Sequence, residues 1–384
     1  MKQNNSLFVQ TLLAWFRMNG RDLPWRHTQD PYAIWLSEII LQQTRIAQGM
    51  EYWLRFMQKW PCVDDLAAAT EDEVMRMWQG LGYYSRARNL HTAAQQIVAL
   101  GRFPDTLDAI RQLKGVGDYT AAAIGSFAFG IPAAAVDGNF YRVLARYFGI
   151  DTPINTTEGR KLFASLAEAH LPEHEAADYN QAMMDFGATQ CVPKSPACEL
   201  CPLEETCVAR REDSVDRLPV KLKTVKVVTR RLSLYYIRCN GRIAIHKRGS
   251  GDIWQGLWTV PEAEHLSSDL KATALLLQKD VKHVLTHRIL LADFYLIERP
   301  SRPSLPPDFI WIKEEEIENY AIPRLMEKLI SLPQPLQRRG VQSVCRHILL
   351  PFGREGVGIR CESCRFCTSR PCVLWIACHL FCSP

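Results

Sequence analysis

Apolar residues recur at three- and four-residue spacing from residue 6 to about residue 210, with breaks at Pro24, Pro31, Pro61, Pro104, Pro132, Pro153 and Pro172. That period belongs to helices that bury one face, and no convincing strand interrupts it. A basic stretch from Arg217 to Arg231, holding Lys221, Lys223, Lys226 and Arg230, then changes the character of the chain. Beyond it the β-branched and aromatic runs VKVVTRRLSLYYIR, RIAIHKR and ADFYLIE predict strands, and a short helix is expected near Ile322 to Ile330. The pattern therefore predicts an all-α domain over 6–212, a linker over 213–229 and an α+β domain over 230–330. Residues 331–384 follow neither period.

Composition narrows the class without naming the chemistry. At 384 residues, 47% hydrophobic and 23% charged, the chain has room for two cores and reads as a soluble protein. The start, MKQNNSLFVQTLLAWF, lacks the pattern of a secretory signal, and no run of about 20 apolar residues suggests a membrane span. A cytoplasmic location is expected. The net charge of +5 invites a nucleic-acid reading, but residues 331–384 alone carry it, with seven Arg, no Lys, and only Glu355 and Glu362. The body is left with 39 basic and 39 acidic residues, so DNA binding would have to rest on local patches and backbone donors. Seven of the 13 cysteines also lie in this tail, including Cys361, Cys364 and Cys367. A reducing cytosol would keep them as thiols or metal ligands.

Four other cysteines, Cys191, Cys198, Cys201 and Cys207, are spaced C-x6-C-x2-C-x5-C, with Pro193, Pro196 and Pro202 between them. Such a compact loop can bring four thiolates to one site. Only Cys198 and Cys201 form the close pair usual for zinc, so an iron-sulfur cubane suits the spacing better, with structural zinc as the alternative. Four protein ligands leave no position for substrate under either reading, which makes the role structural.

Between two helical stretches, Lys114-Gly115-Val116-Gly117-Asp118 is short enough for a hairpin. Gly115 and Gly117 would let the backbone bend and aim N–H groups outward beside a helix N-terminus, which makes a phosphate seat blind to sequence. An ordinary helix corner would look the same. On the helix opened by Asp30-Pro31, and expected to run through YAIWLSEIILQQTRIAQGMEYWLRFM, Glu38 shares a face with Ile34, Trp35 and Leu41. Desolvation there would raise its pKa, as a general acid requires, whereas a Glu at the rim of the core would keep its head in water. Asp137 stands where a later helix begins. It is expected to cap that helix, to be held ionised by the free N–H groups, and so to be able to face a cationic transition state. One carboxyl pushed up and one pushed down would divide acid and anion roles in cleavage of a glycosidic bond.

Together WLSEIILQQT, GLGYYSRARNL, LKGVGDYTAAAI, VDGNFYRVLAR, NQAMMDFGA and the four-cysteine spacing resemble the adenine DNA glycosylases, the MutY family, over about residues 6–330. The resemblance implies a helix-hairpin-helix glycosylase domain with a four-iron four-sulfur loop at 191–207. It implies removal of adenine mispaired with 8-oxoguanine or guanine in duplex DNA, a base-excision step that prevents G:C to T:A transversions. By motif, Glu38 would protonate adenine and then help water attack, Asp137 would stabilise the oxocarbenium ion, and Tyr119 and Asn139 would support them. Trp25, Arg26, Leu41 and Gln181 would form the adenine pocket around a flipped base. Gln43 and Tyr83 would wedge into the duplex, with Arg86 and Arg88 as phosphate partners. Endonuclease III, a relative, has a nucleophilic Lys where this chain has Tyr119. A phenol forms no Schiff base, so lyase activity should be weak or absent. A bifunctional glycosylase-lyase and a non-catalytic DNA-binding protein are the competing readings.

The second domain resembles the Nudix-like module of the same family, with IAIHKRGSGDIWQGLWTVPE at its centre. It lacks the R-E-x-x-E-E metal box, so recognition of 8-oxoguanine is expected in place of nucleotide hydrolysis. The family's Phe-Ser-His turn reads Leu285-Thr286-His287 here, which keeps a hydroxyl at Thr286 and loses an aromatic surface. Lys114 replaces a usual Pro and adds a cation before the first hairpin glycine. A monomer associated with the nucleoid is expected. The tail has no counterpart and reads as a disordered, frameshifted or read-through end.

Overall fold

Helix signals in the first 212 residues are realised with few surprises. The computed structural model describes residues 7–222 and 227–332, together with the backbone of 348–352 and 356–360. The first helix, α1 (Leu7–Asn19), precedes a single 3-10 turn at Pro24–Arg26. Next come α2 (Pro31–Leu41), α3 (Ile46–Lys59), α4 (Val63–Ala68), α5 (Glu71–Met77) and α6 (Ser85–Leu100). The hairpin helices α7 (Leu107–Arg111) and α8 (Asp118–Phe129) follow, then α9 (Gly138–Phe148), α10 (Thr157–Ala169), α11 (Ala176–Asp185) and the short α12 (Val208–Arg211).

Asp30 accepts from the Tyr32 amide at 3.0 Å and Pro31 fills the first position of α2, as the sequence predicts. The long helix expected from there is instead two. It breaks at Gln42–Arg45, where Gln43 takes φ 56° and the Thr44 amide bonds back to Leu41 O. No Pro or Gly marks that break. Thr70 and Glu73 close a reciprocal capping box on α5.

These helices form two apolar cores. One gathers Trp35, Leu36, Ile40, Phe56, Trp78, Leu90 and Ile124 from α2 to α8. The other gathers Phe8, Leu12, Phe140, Leu144, Phe163, Tyr179 and Met183 from α1 and α9 to α11. The cleft between them is where α2, α8, α9 and α11 meet.

After the linker the period changes to two. Strand β1 (Val228–Cys239) turns Leu232, Leu234 and Tyr236 to one face and Tyr235 and Ile237 to the other. The sheet adds β2 (Arg242–Lys247), β3 (Trp258–Thr259), β4 (Leu275–Val284), β5 (Arg288–Arg299) and β6 (Ile310–Lys313), with α13 (Ser268–Ala272) and α14 (Arg324–Ile330). Its order is β3-β2-β1-β5-β4, with β6 also on β2. Strands β1 and β5 run parallel from Val228↔Arg288 to Cys239↔Arg299, and the other pairings are antiparallel. One face of the sheet, with Ile243 and Ile245, joins the core of α2 to α8 together with Leu325 of α14, so the sheet domain packs directly on the helices.

The chain parts into two compact units after Leu332. Within the segment expected to lack periodicity, β7 (Ile348–Phe352) and β8 (Gly356–Arg360) pair antiparallel, which corrects that expectation for ten residues. Both are short runs dominated by apolar residues, and five residues each are enough for one hairpin ladder. Cys361, Cys364 and Cys367 lie outside the described residues.

Candidate active site

A pocket of about 700 Å³ opens between the two helical cores. Helix α2 presents Ile34, Glu38 and Leu41 to it, and Tyr119 comes from α8. From the other core come Asp137 and Asn139 at the head of α9, with Gln181 and Met184 on α11. Trp25 and Arg26 close one side and Gln42 and Gln43 another. Trp35, expected on the Glu38 face, is fully buried in the core and does not line the cavity.

Glu38 is only 7% exposed, and its Oε2 accepts from the Tyr119 hydroxyl at 2.9 Å. Burial raises its pKa to about 7, against the Tyr119 hydrogen bond; Asp137 raises it further and Arg26 opposes. The rim-of-core reading, with the carboxyl in water, is therefore excluded. Tyr119 is itself held well above the usual phenol range, by burial first and then by the Glu38 and Asp137 charges, so it stays a neutral donor.

Asp137 does cap α9, accepting from the amides of Asn139 at 2.8 Å and Phe140 at 2.9 Å, and from Asn139 Nδ2 at 2.7 Å. Its pKa is nonetheless raised, which corrects the expectation of one carboxyl up and one down. Burial outweighs the hydrogen bonds and the Arg142 charge that pull the other way. The two carboxyls differ in hydrogen bonding instead: Asp137 receives three donors that favour the anion, while Glu38 receives one.

Trp25 packs edge-on against Trp53, centroids 5.6 Å apart, and presents its remaining surface to the pocket. Arg26 is fixed by Asp185, which is fully buried and takes two bonds from it at 2.8 Å, plus the Arg21 guanidinium and amide. Asp185 stands inside the NQAMMD motif, but nothing in its spacing marked it as the anchor of Arg26. Arg142 was likewise invisible in sequence. It donates to Asn139 Oδ1 at 2.8 Å and to the Cys191 carbonyl at 2.7 Å, tying the pocket to the cysteine loop.

The hairpin turn forms between α7 and α8. Gly115 has φ 79°, and a Cβ there would stand 2.8 Å from Asn89 Cβ, so both conformation and space demand glycine. Gly117 is corrected. It is extended at φ −100°, ψ −175° and a Cβ would meet open space, so the bend does not depend on it.

Two arginines expected on phosphates are used internally. Arg86 is buried, donating to the carbonyls of Ile39 at 3.0 Å and Ile40 at 2.9 Å and toward those of Leu81 and Gly82, and desolvation lowers its pKa to about 10. Arg88 reaches the Gln255 carbonyl of the sheet domain. The helical period gives burial of α6 but not the direction of an arginine whose acceptors lie at the end of α2 and in the loop just before α6.

Gln43 is exposed at the first pocket, whereas Tyr83 belongs to a second. That cavity of about 510 Å³ lies between the loop Gly80–Tyr84 and the β4–β5 turn, and Leu285, Thr286, His287 and Trp254 line it. Tyr83 is 45% exposed, takes φ 47°, and its hydroxyl bonds to that of Thr286.

Cys191, Cys198, Cys201 and Cys207 are all free thiols that feel one another electrostatically; burial, then this mutual charge, pushes Cys201 up to about 11. Among the described residues no three His, Cys, Asp or Glu gather as a site for a single metal ion. Arg146, 3% exposed, donates to Cys191 Sγ at 3.4 Å and to the Val192 and Pro193 carbonyls on one side, and to Val215 and Leu218 on the other. Four partly buried thiols in one short loop, backed by the Arg146 cation, are a donor set suited to thiolate ligation.

Comparison with known proteins fits this geometry. The HhH-GPD superfamily of base-excision DNA-repair proteins matches residues 36–168, and a NUDIX domain matches 233–332. An adenine DNA glycosylase of Buchnera aphidicola subsp. Acyrthosiphon pisum is 31% identical over 344 residues, covering 84% of this chain and 97% of its own. The human adenine DNA glycosylase is 41% identical over 222 residues, covering 55% of this chain and 41% of its own. A solved thermostable thymine-DNA glycosylase superposes with a TM-score of 0.51 at 36% identity, covering 54% of this chain and 96% of its own. That structure spans about half of this chain, while the Buchnera relative extends over most of it. The chain belongs to the adenine DNA glycosylase family of base-excision repair.

Proposed function

We propose that this DNA glycosylase hydrolyses the N-glycosidic bond of adenine opposite 8-oxoguanine or guanine in duplex DNA, without a lyase step, and so prevents G:C to T:A transversions. The observation that carries the reading is the pair Glu38 and Asp137 in one pocket, with a tyrosine hydroxyl on Glu38 where a lyase would need an amine. With Trp25, Leu41 and Gln181 holding a flipped adenine, protonated Glu38 passes its proton to a ring nitrogen. The C1′–N9 bond breaks, its electron pair leaves with the base, and the sugar becomes an oxocarbenium ion facing the Asp137 carboxylate. Water then adds to C1′ and gives its proton to Glu38, which restores the acid and leaves adenine and an abasic site.

Tyr119 keeps Glu38 oriented, Asn139 orients Asp137, and Arg26 is positioned by Asp185. Gly115 would seat a phosphate, while Gln43 and Tyr83 would enter the duplex and Thr286 and His287 would meet the base opposite adenine. Under this reading 6–212 is the glycosylase domain, 213–229 the linker and 230–330 the lesion-reading domain. A four-iron four-sulfur cluster held by Cys191, Cys198, Cys201 and Cys207 would supply covalent cross-linking of the loop beside α9, with no part in the bond changes.

The test is a duplex carrying A opposite 8-oxoguanine, incubated with wild type and Glu38→Gln and then treated with alkali. Alkali-dependent strand breaks with wild type, and none with the variant, are expected. Undiminished breaks with the variant, or breaks without alkali that borohydride traps on the protein, would overturn the mechanism.

A further inference from the structure

Beyond Thr286 and His287, the sheet domain carries cations that its own fold leaves unneutralised. Arg324 and Lys328 stand one turn apart and exposed on α14, Lys282 is exposed at the end of edge strand β4, and Arg288 opens β5. Arg288 and Arg324 line the 510 Å³ cavity. Lys328 Nζ lies on the Lys282 carbonyl at 3.4 Å, which brings the helix pair onto the strand end. Among the described residues none of the four forms an ion pair; Arg230, Arg231, Arg238, Arg248, Lys247 and Lys313 of the same domain do, while Arg299 and Arg302, which do not line the cavity, also form none. The single carboxylate on α14, Glu327, is turned instead to Gln79 of the helical domain, accepting from Nε2 at 2.7 Å. His283, between them, is pushed toward its neutral form by burial and then by Lys328 and Arg324.

Like charges at i and i+4 oppose a helix, and these two with Arg288 on one rim favour an anion from outside. The opposite wall of the cavity is the Gly80–Tyr84 loop, with Tyr83 at its lip. An anion held on the rim would therefore lie beside whatever base reaches Thr286. We propose that Arg288, Arg324 and Lys328 form a phosphate-binding rim that takes the backbone of the DNA strand opposite the adenine. This rests on the reading of the chain as an enzyme of duplex DNA and adds to it the contact that docks the second domain.

The rim is tested by binding of an undamaged duplex across a range of salt, with excision from the A:8-oxoguanine duplex measured separately under saturating single-turnover conditions. Arg324→Ala/Lys328→Ala should lower the slope of log affinity against log salt by about 2, since each phosphate contact contributes about 0.9, and should weaken binding about tenfold or more at low salt. Arg288→Gln should lower it by about 1. Arg299→Ala/Arg302→Ala, at the far end of β5, should change it by much less. Excision by saturated enzyme should stay within about twofold. An unchanged slope in the rim variants, or an equal fall in the distal variant, would overturn the rim. If the slopes fall as expected but no adenine is released by the wild type, the rim stands and the proposed reaction fails.

Discussion

Replacing Tyr119 by Phe removes one atom and leaves the ring. That hydroxyl donates to Glu38 Oε2 at 2.9 Å in a site almost closed to water, and it favours the carboxylate over the acid. A hydrogen bond to a charged group is worth about 1.5–3 kcal/mol, and about 1.4 kcal/mol is one unit of pKa. The Glu38 pKa of about 7 should therefore rise by about one to two units in Tyr119→Phe. Because the first step needs the protonated form, single-turnover excision falls as pH rises through the Glu38 pKa. The wild-type rate should fall on the alkaline side near pH 7, and the variant should hold its rate one to two units higher. Rates from pH 5.5 to 9.5 on the A:8-oxoguanine duplex test this. An alkaline limb that stays in place or moves toward acid would refute the claim that the Tyr119 hydroxyl tunes Glu38.

The same pKa has a stability consequence for Glu38→Gln. The folded value of about 7 lies above the ordinary 4.5, so the native state holds the proton more tightly and stability falls as pH rises from about 4.5 to 7. The neutral isostere removes up to about 3 kcal/mol of that penalty; denaturant titrations should show the variant gaining stability at pH 8 and little at pH 4.5, and equal gains at both would contradict the assignment. Gly115→Ala should weaken duplex binding and destabilise by about 1–2 kcal/mol through its left-handed backbone and the Asn89 contact, while Gly117→Ala should be near neutral in the same melts. Arg86→Ala should destabilise by about 2–4 kcal/mol by leaving several carbonyls short of donors, yet leave the salt dependence of DNA binding unchanged. A fall in the salt slope would return Arg86 to the phosphates.

The helices, the strands, Glu38 and Asp137 were legible in sequence because each announces itself locally, whereas Tyr119 came only through the family resemblance. Caps such as Asp30 and Asp137, glycine at 115 and the switch of period after the linker are properties of a few adjacent residues. What stayed hidden depends on distant partners. Arg86 has the composition of a surface cation, but its acceptors come from the end of α2 and the loop before α6. Asp185 acquires its importance from Arg26 and Arg142 from Cys191, both far along the chain. The direction of the Asp137 shift was misjudged for the same reason, since capping is local and burial is made by the packing of two cores.

Gln43 and Tyr83 share a backbone state that non-glycine residues seldom occupy, with φ of 56° and 47°. Glycine would relax both turns by about 1 kcal/mol. Neither side chain repays that strain to the apolar core, because Gln43 is exposed and Tyr83 nearly half so. Both positions thus carry a local cost, which fits the proposed entry of the two side chains into the duplex. Two turns held under tension present an amide and a ring at the lips of two cavities, so that a duplex docked as proposed would find these groups already positioned.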